Sequence, residues 1–310
     1  MNLAFTICSA NYLPFAKSLA DSVIRHNPTC RFVITLADTF SEYDASFFAP
    51  HLVIPVANMN LPHFAEMNSR YNIFELSCAL KPFVADYLFE TNEACKTLFY
   101  FDADILVFGS LHEAETLLLS HPILLTPHIA TPLSYEDSVS KELNVLRTGL
   151  YNAGFFGLQR TSEALAFLQW WQQRLRYHCF DNAANGLFVD QLWLGLVPLY
   201  FHNSFVLYNP AYNLAYWNFS ERKLTVQHGT YFVNESHKLV FFHYSGYDIN
   251  QPEQISKHKK DLTFQELPEY KPLYDFYIAE IKRNNQQGYL DLPVTLGRKK
   301  KKKFLSLFRI

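Results

Sequence analysis

Several ordinary features are missing from this chain of 310 residues, and each absence removes a class of protein. The five cysteines (Cys8, Cys30, Cys78, Cys95, Cys179) contain no C-x-x-C pair and are odd in number, which argues against a disulfide framework or a zinc ribbon. Each lies in an apolar or helix-like stretch, as reduced core residues of a cytoplasmic protein do. The N-terminal MNLAFTICSANYLPF has no basic n-region and no long apolar h-region, so no export signal is expected. No apolar run reaches the length of a membrane span. No internal repeat and no Gly/Ser linker divides the chain.

What is present is a large apolar and aromatic fraction, 28 Phe and 19 Tyr among residues that are 49% hydrophobic. That suits one large domain with a substantial core, plus an extension, and excludes a disordered chain. The aromatic excess fits a tightly packed core and equally a pocket that stacks on rings. The net charge of −2 conceals an asymmetry. Seven of the 27 Lys and Arg fall in residues 298–310, which hold no acid, leaving 20 basic against 29 acidic residues elsewhere. Arg298 and Lys299 to Lys303 precede FLSLFRI. A basic run beside a short apolar end suits the anionic inner face of a cytoplasmic membrane, where the protein would sit peripherally; the alternative is a disordered tail for any polyanion.

Apolar periodicity predicts a buried strand over Leu3 to Ser9, a loop over Ala10 to Pro14, a helix over Phe15 to His26 and a strand over Arg31 to Leu36. A helical region from Pro62 to Phe89, broken or bent near Pro82, leads to a strand at Thr97 to Phe101. Further helices are expected around Glu113 to Leu119, Tyr135 to Arg147, Ser162 to Tyr177 and Glu269 to Asn285, with strands at Pro122 to Thr126 and Gly149 to Leu158. A mixed or antiparallel sheet edge is expected within Phe201 to Tyr247. Strands alternating with helices predict an α/β domain with a largely parallel sheet covered on both faces.

Chemistry concentrates in a few places. Asp102 and Asp104 end the apolar run FYFDADILVF, where two carboxylates cost desolvation energy unless a cation meets them. An i, i+2 pair at a strand end projects both to one side and suits Mg²⁺ or Mn²⁺. In HYSGYD, His243 leaves an apolar strand toward Gly246, as a metal ligand or as a structural histidine. YNAGFFGL places the Asn152 amide and the small Ala153 and Gly154 at a strand mouth. In FVDQLWLGL, Asp190 and Gln191 begin an apolar helix, where Asp190 could serve only as an N-cap. In SKHKKD, Lys257 and His258 offer cations to a diphosphate or form a solvated turn.

This ordered set resembles the GT-A glycosyltransferases, closest to the group related to glycosyltransferase family 8: a strand-end D-x-D, an N-A-G strand, a D-Q helix start and a late H-x-x-G loop. The resemblance runs from about Ala4 to Tyr247 and implies a GT-A (Rossmann-like) nucleotide-diphospho-sugar transferase fold. That fold has a mostly parallel central sheet, a small mixed portion and a C-terminal helical extension. It divides the chain into a transferase domain over 1–250, an extension over 251–297 and the basic, apolar tail over 298–310.

By the same resemblance, Asp102 and Asp104 bind Mn²⁺ or Mg²⁺ with His243 as a further ligand. Asp102, Ala103 and Asp104 also meet the ribose-diphosphate of a nucleotide sugar, UDP-sugar favoured. Ala10, Asn11 and Tyr12 match the segment that holds the base, and Lys81 stands where the family commonly has an arginine. Asn152 and Asp190 face the transferred sugar with Gln191 assisting, and Gly246 lies in the diphosphate loop. One departure is clear: the family's loop carries a lysine beside Pro-Trp, whereas this chain has Tyr247, Asp248 and Ile249, leaving Lys257 as the substitute. The implied activity is transfer of a hexose to a glycan or lipid-linked glycan, with retention, as in polysaccharide biosynthesis, and no nucleic-acid partner. Acceptor contacts are expected from Thr131 to Asp137 and Tyr208 to Phe219. The rival readings are a haloacid-dehalogenase-type phosphatase, whose later acidic pair near a glycine is missing, and a non-catalytic glycan-binding or scaffold protein at the membrane surface.

Overall fold

The computed structural model describes residues 1–40, 42–132 and 134–299. Along the chain run β1 (Asn2–Cys8), α1 (Leu13–His26), β2 (Cys30–Leu36), α2 (Ala45–Phe48), β3 (Leu52–Pro55), α3 (Phe64–Arg70), α4 (Ile73–Thr91), β4 (Thr97–Phe101), β5 (Ile105–Val107), α5 (His112–Leu118), β6 (Ile123–Pro127), α6 (Tyr135–Thr148), β7 (Tyr151–Gln159) and α7 (Ser162–His178). The central sheet has seven strands, from the short Phe205–Val206 at one edge through β6, β7, β4, β1 and β2 to β3 at the other. All neighbours pair in parallel except that β7 runs antiparallel to both β4 and β6. The strands expected to be buried are buried on both faces, because helices cover the sheet on each side. The five cysteines are all buried and unpaired. Among the described residues no helix is long and apolar enough to cross a membrane.

The inversion of β7 places the site. In an antiparallel pair the start of one strand lies beside the end of its neighbour. The head of β7 therefore meets the tail of β4: Phe101 pairs with Phe155, and the Asp102 N–H donates to the Gly154 carbonyl at 2.8 Å. Beyond β4, β5 pairs antiparallel with Phe241–His243, bringing His243 opposite Ile105. The last helix, Lys271–Arg283, packs Tyr274 and Tyr277 on Tyr244, and the Tyr244 and Tyr277 rings stack at 3.8 Å. A separate three-stranded antiparallel sheet (Leu224–Gln227, Thr230–Val233, His237–Lys238) fills the region where a mixed edge is expected.

Two expectations change. The helical region after Pro62 breaks at Tyr71 and Asn72, and α4 runs continuously through Pro82. Asn72 caps α4 through the Glu75 N–H while Glu75 reaches back to the Asn72 N–H, a box worth about 1 kcal/mol. That start signal outweighs the proline, whose missing N–H costs one hydrogen bond inside a helix well packed on α7. Ala10–Tyr12, expected as loop, forms one 3₁₀ turn leading into α1.

After the last helix the chain folds back as a strap. Tyr289 packs among Phe40, Phe47 and Phe48, the Thr295 hydroxyl meets the Asp38 carboxylate, and the Arg298 N–H donates to the Tyr71 carbonyl at 2.6 Å. The expected tail lies, from residue 300 onward, outside the described residues.

Candidate metal and sugar site

Asp102 and Asp104 stand at the carboxyl end of β4, where ligands bind in open α/β sheets. With His243 they bring ligand atoms within 4.8 Å of one another. The His243 Nε2 lies 3.1 Å from Asp104 Oδ1 and 3.9 Å from Asp102 Oδ2. The carboxylates are about a third open, with side-chain exposures of 32% and 28%, while the imidazole is buried. Burial would raise the Asp104 carboxyl, but the charge of His243 and its hydrogen bond hold it below the usual range. Burial likewise opposes a charge on His243, and the Asp104 charge overcomes it and moves the imidazole upward. The glycine of the N-A-G strand makes room: a Cβ on Gly154 would lie 2.5 Å from His243 Cε1 and 2.9 Å from Asp102 Oδ2.

One oxygen of Asp102 is committed to the protein. Its Oδ1 accepts the Tyr100 hydroxyl at 2.6 Å and lies 3.2 Å from Lys81 Nζ, leaving Oδ2 turned toward His243. Lys81 Nζ sits 4.5 Å from the centre of the Tyr100 ring, donates to the Ala153 carbonyl at 2.9 Å and makes an ion contact with Asp190 Oδ2 at 2.8 Å. Burial would discharge this ammonium, yet Asp102 and Asp190 together hold it charged, well above the ordinary value. Burial also raises the Asp190 carboxyl, a rise that Lys81 only partly offsets.

Asp190 is therefore not an N-cap. The short 3₁₀ helix Leu192–Leu196 follows Gln191, and the Asp190 side chain turns inward to Lys81. The preceding Val189 adopts φ +38°, a conformation a β-branched residue takes only under constraint, and such strain gathers at functional sites.

Asn152 and Gln191 meet next to this pair. The Gln191 Oε1 accepts from Asn152 Nδ2 at 3.1 Å and from the Ala153 N–H at 3.3 Å, while Gln191 Nε2 donates to the Thr148 carbonyl at 2.9 Å. Asn152, Asp190 and Gln191 are 7%, 1% and 8% exposed, so the three residues expected to face the sugar lie together but deep. Two further side chains join them that the sequence reading missed. His128, after β6, accepts from Asn152 Nδ2 at 3.2 Å, and burial lowers its pKa to about 4, so it is neutral. Asn213 hydrogen-bonds both Asn152 and His243. Each sits in a stretch without periodicity. The one available sign for Asn213 was its residue type, since asparagine is among the few non-glycine residues that accept its φ of +58°.

The base and diphosphate assignments divide. Ala10, Asn11 and Tyr12 form the turn at the end of β1, with the Ala10 N–H donating to Asp38 Oδ2 at 3.3 Å and the Ser9 hydroxyl to Asn11 at 2.6 Å. The exposed Tyr12 stacks on Phe15, and burial of its hydroxyl together with the charges of Asp104 and Asp248 pushes its pKa up to about 12. Ala103 is buried between the two aspartates. Gly246 takes φ +71°, and a Cβ there would run into the His258 ring and lie 2.7 Å from Ser256 Oγ. The Lys257 N–H donates to the Gly246 carbonyl at 2.9 Å, but its side chain is exposed. The ring beside Gly246 is that of His258, stacked on Tyr216 and within reach of the Asp104 charge.

The comparisons with known proteins agree with this architecture. No family model matches the chain. It is 24% identical over 240 residues to YfnF, an uncharacterised protein of Bacillus subtilis, covering 76% of this chain and 77% of that one. A second uncharacterised Bacillus subtilis protein, YfnD, is 24% identical over 203 residues, 63% of this chain and 61% of its own length. Among solved structures, the galactosyltransferase LgtC in complex with donor and acceptor sugar analogues superposes with a TM-score of 0.50 at 16% identity, covering 90% of this chain and 95% of that one. The apo form of the glycosyltransferase GlyE from Streptococcus pneumoniae gives 0.52 at 14%, covering 94% and 65%. The bifunctional glycosyltransferase WbbM gives 0.50 at 12%, covering 94% and 51%. The seven-stranded, mostly parallel sheet and these neighbours identify the fold of this chain as that of the GT-A glycosyltransferases.

Proposed function

We propose that this protein is a metal-dependent glycosyltransferase of the family 8-like group. It would move a hexosyl residue from a nucleoside-diphosphate sugar, UDP favoured, to a glycan or glycoconjugate acceptor with retention of configuration. The observation that carries the reading is the convergence of Asp102, Asp104 and His243 at the carboxyl end of β4 in this fold. The donor set fits a divalent ion: two carboxylates with free oxygens, an imidazole between them and a glycine leaving space in front. An imidazole beside carboxylates favours Mn²⁺ over Mg²⁺, which prefers an all-oxygen shell. Bound there, such an ion neutralises the charge developing on a departing diphosphate.

The remaining work falls to the chain. Tyr100 and Lys81 fix Asp102 so that one oxygen stays free for the ion. Asn152 and Gln191 form the rim of the sugar site, and Asp190 supplies a fixed negative charge beneath it, through Lys81, against the positive character of the reacting sugar. Ala10, Asn11 and Tyr12 hold the base. Gly246 and His258, with Lys257 at the edge, take the far side of the diphosphate. Residues 1–250 form the transferase domain, 251–297 the extension bearing the last helix and strap, and 298–310 an attachment to an anionic cytoplasmic membrane surface, where a lipid-linked acceptor would lie.

The test is hydrolysis and transfer from a panel of UDP-sugars with and without Mn²⁺. Mn²⁺-dependent turnover of one donor is expected. Donor binding without turnover in the presence of any acceptor would leave a non-catalytic glycan-binding or scaffold protein. For the tail, removal of residues 299–310 should release the protein from anionic vesicles and spare turnover on a soluble acceptor; unchanged vesicle binding rejects the attachment.

A further inference from the structure

The hydrogen bonds behind the metal site have a direction, and a backbone group sets it. The Gly154 N–H can only donate, and it donates to the Asn152 side chain at 3.1 Å, so that atom is Oδ1. The group of Asn213 facing the same oxygen at 3.0 Å must then be its NH₂, which also donates to Thr126 Oγ1 at 3.1 Å. The Asn213 Oδ1 is left facing His243 Nδ1 at 3.2 Å, and an amide oxygen only accepts. His243 must carry its proton on Nδ1, which turns the Nε2 lone pair of the neutral ring toward Asp102 and Asp104.

We propose that Asn213 is a positioning residue that fixes His243 in its metal-binding tautomer and ties the metal ligand to the sugar-site residue Asn152. The proposal rests on the glycosyltransferase reading for the role of Asn152, and on geometry alone for the role toward His243. Asn213 is fully buried and held at φ +58°. Its backbone carbonyl accepts from Asn218 Nδ2 at 3.0 Å, so the loop fixes the amide as firmly as the amide fixes the ring. A hydrogen-bond partner behind a metal-bound histidine sets ring orientation and basicity, and its loss typically costs about 10–100-fold in metal affinity.

Asn213→Gly keeps a backbone that accepts the positive φ and removes both links. Asn213→Asp keeps an acceptor for His243 and removes the donor to Asn152. Mn²⁺ alone, titrated by electron paramagnetic resonance without any donor, should bind Asn213→Gly roughly 10–100-fold more weakly than wild type. Asn213→Asp should bind it within about threefold of wild type, yet lose affinity for a UDP-sugar added to the Mn²⁺ complex. The ¹⁵N shifts of the neutral His243 ring, read in alkaline buffer, should show the Nδ1–H form in wild type and Asn213→Asp and a mixture in Asn213→Gly. Wild-type Mn²⁺ affinity in Asn213→Gly overturns the proposal. If that variant fails to fold, a tenfold loss of Mn²⁺ affinity in Asn213→Asp does so. Failure of every UDP-sugar to turn over in wild type, with these Mn²⁺ results intact, would count against the glycosyltransferase reading and not against Asn213.

Discussion

The metal end and the sugar end of the site are built in opposite ways. Asp102 and Asp104 stay partly in water, with few partners and mutual repulsion, so their cost is relieved only when a cation arrives. A few ångströms away, Lys81, Asn152, Asp190, Gln191 and Asn213 are buried and bonded to one another, so their cost is met during folding. The first end exchanges stability for reactivity; the second is preorganised and carries the fold as well as the site.

Three substitutions probe that contrast. The largest effect on turnover is expected from Asp104→Asn, which should lower Mn²⁺-dependent activity by about 10³-fold while leaving the metal-free melting temperature unchanged or higher, because one repelling charge is gone. A melting curve that falls with the activity would mean the metal end also carries the fold.

Lys81→Met should do the reverse in stability, costing about 3–5 kcal/mol in denaturant unfolding, since it strands Asp190 as an uncompensated buried charge. The double variant Lys81→Met, Asp190→Leu should recover most of that loss but no activity. Without recovery, the two residues do not act as a pair.

A smaller effect, and one that depends on pH, is expected at His128. Its folded pKa of about 4 lies below the ordinary 6.5, so the unfolded chain binds the proton first as pH falls. Stability should be fully present above about pH 6.5 and drain away toward pH 4, by roughly 3 kcal/mol at the lower limit. Unfolding free energies of wild type and His128→Gln across that range should converge in acid; parallel curves would reject the buried neutral imidazole.

The metal end was legible in the sequence and much of the sugar end was not, for a physical reason. Asp102, Asp104 and His243 each terminate an apolar strand, and a polar residue at the end of such a run stands out. Asn152 and Gln191 were found through the resemblance. His128 and Asn213 occupy irregular segments, where the burial that makes them functional leaves no periodic trace. Asp190 was read with a surface alternative, a helix cap, because sequence does not reveal that Val189 adopts a left-handed backbone and turns the next side chain inward. The misplaced break in the helical region shows the same weakness. Pro82 was weighed as a breaker, while the Asn72 and Glu75 pair, the stronger local signal, was passed over.

The reversed strand β7 has a consequence in time. Its pairing with β4 is what carries Gly154 to Asp102, and His243 arrives only with a strand far later in the chain. Contacts between such distant residues form slowly, because loop closure precedes any reward from them. Recovery of Mn²⁺ binding during refolding will therefore lag the return of helical signal, making the ion a clock for the final assembly of the sheet.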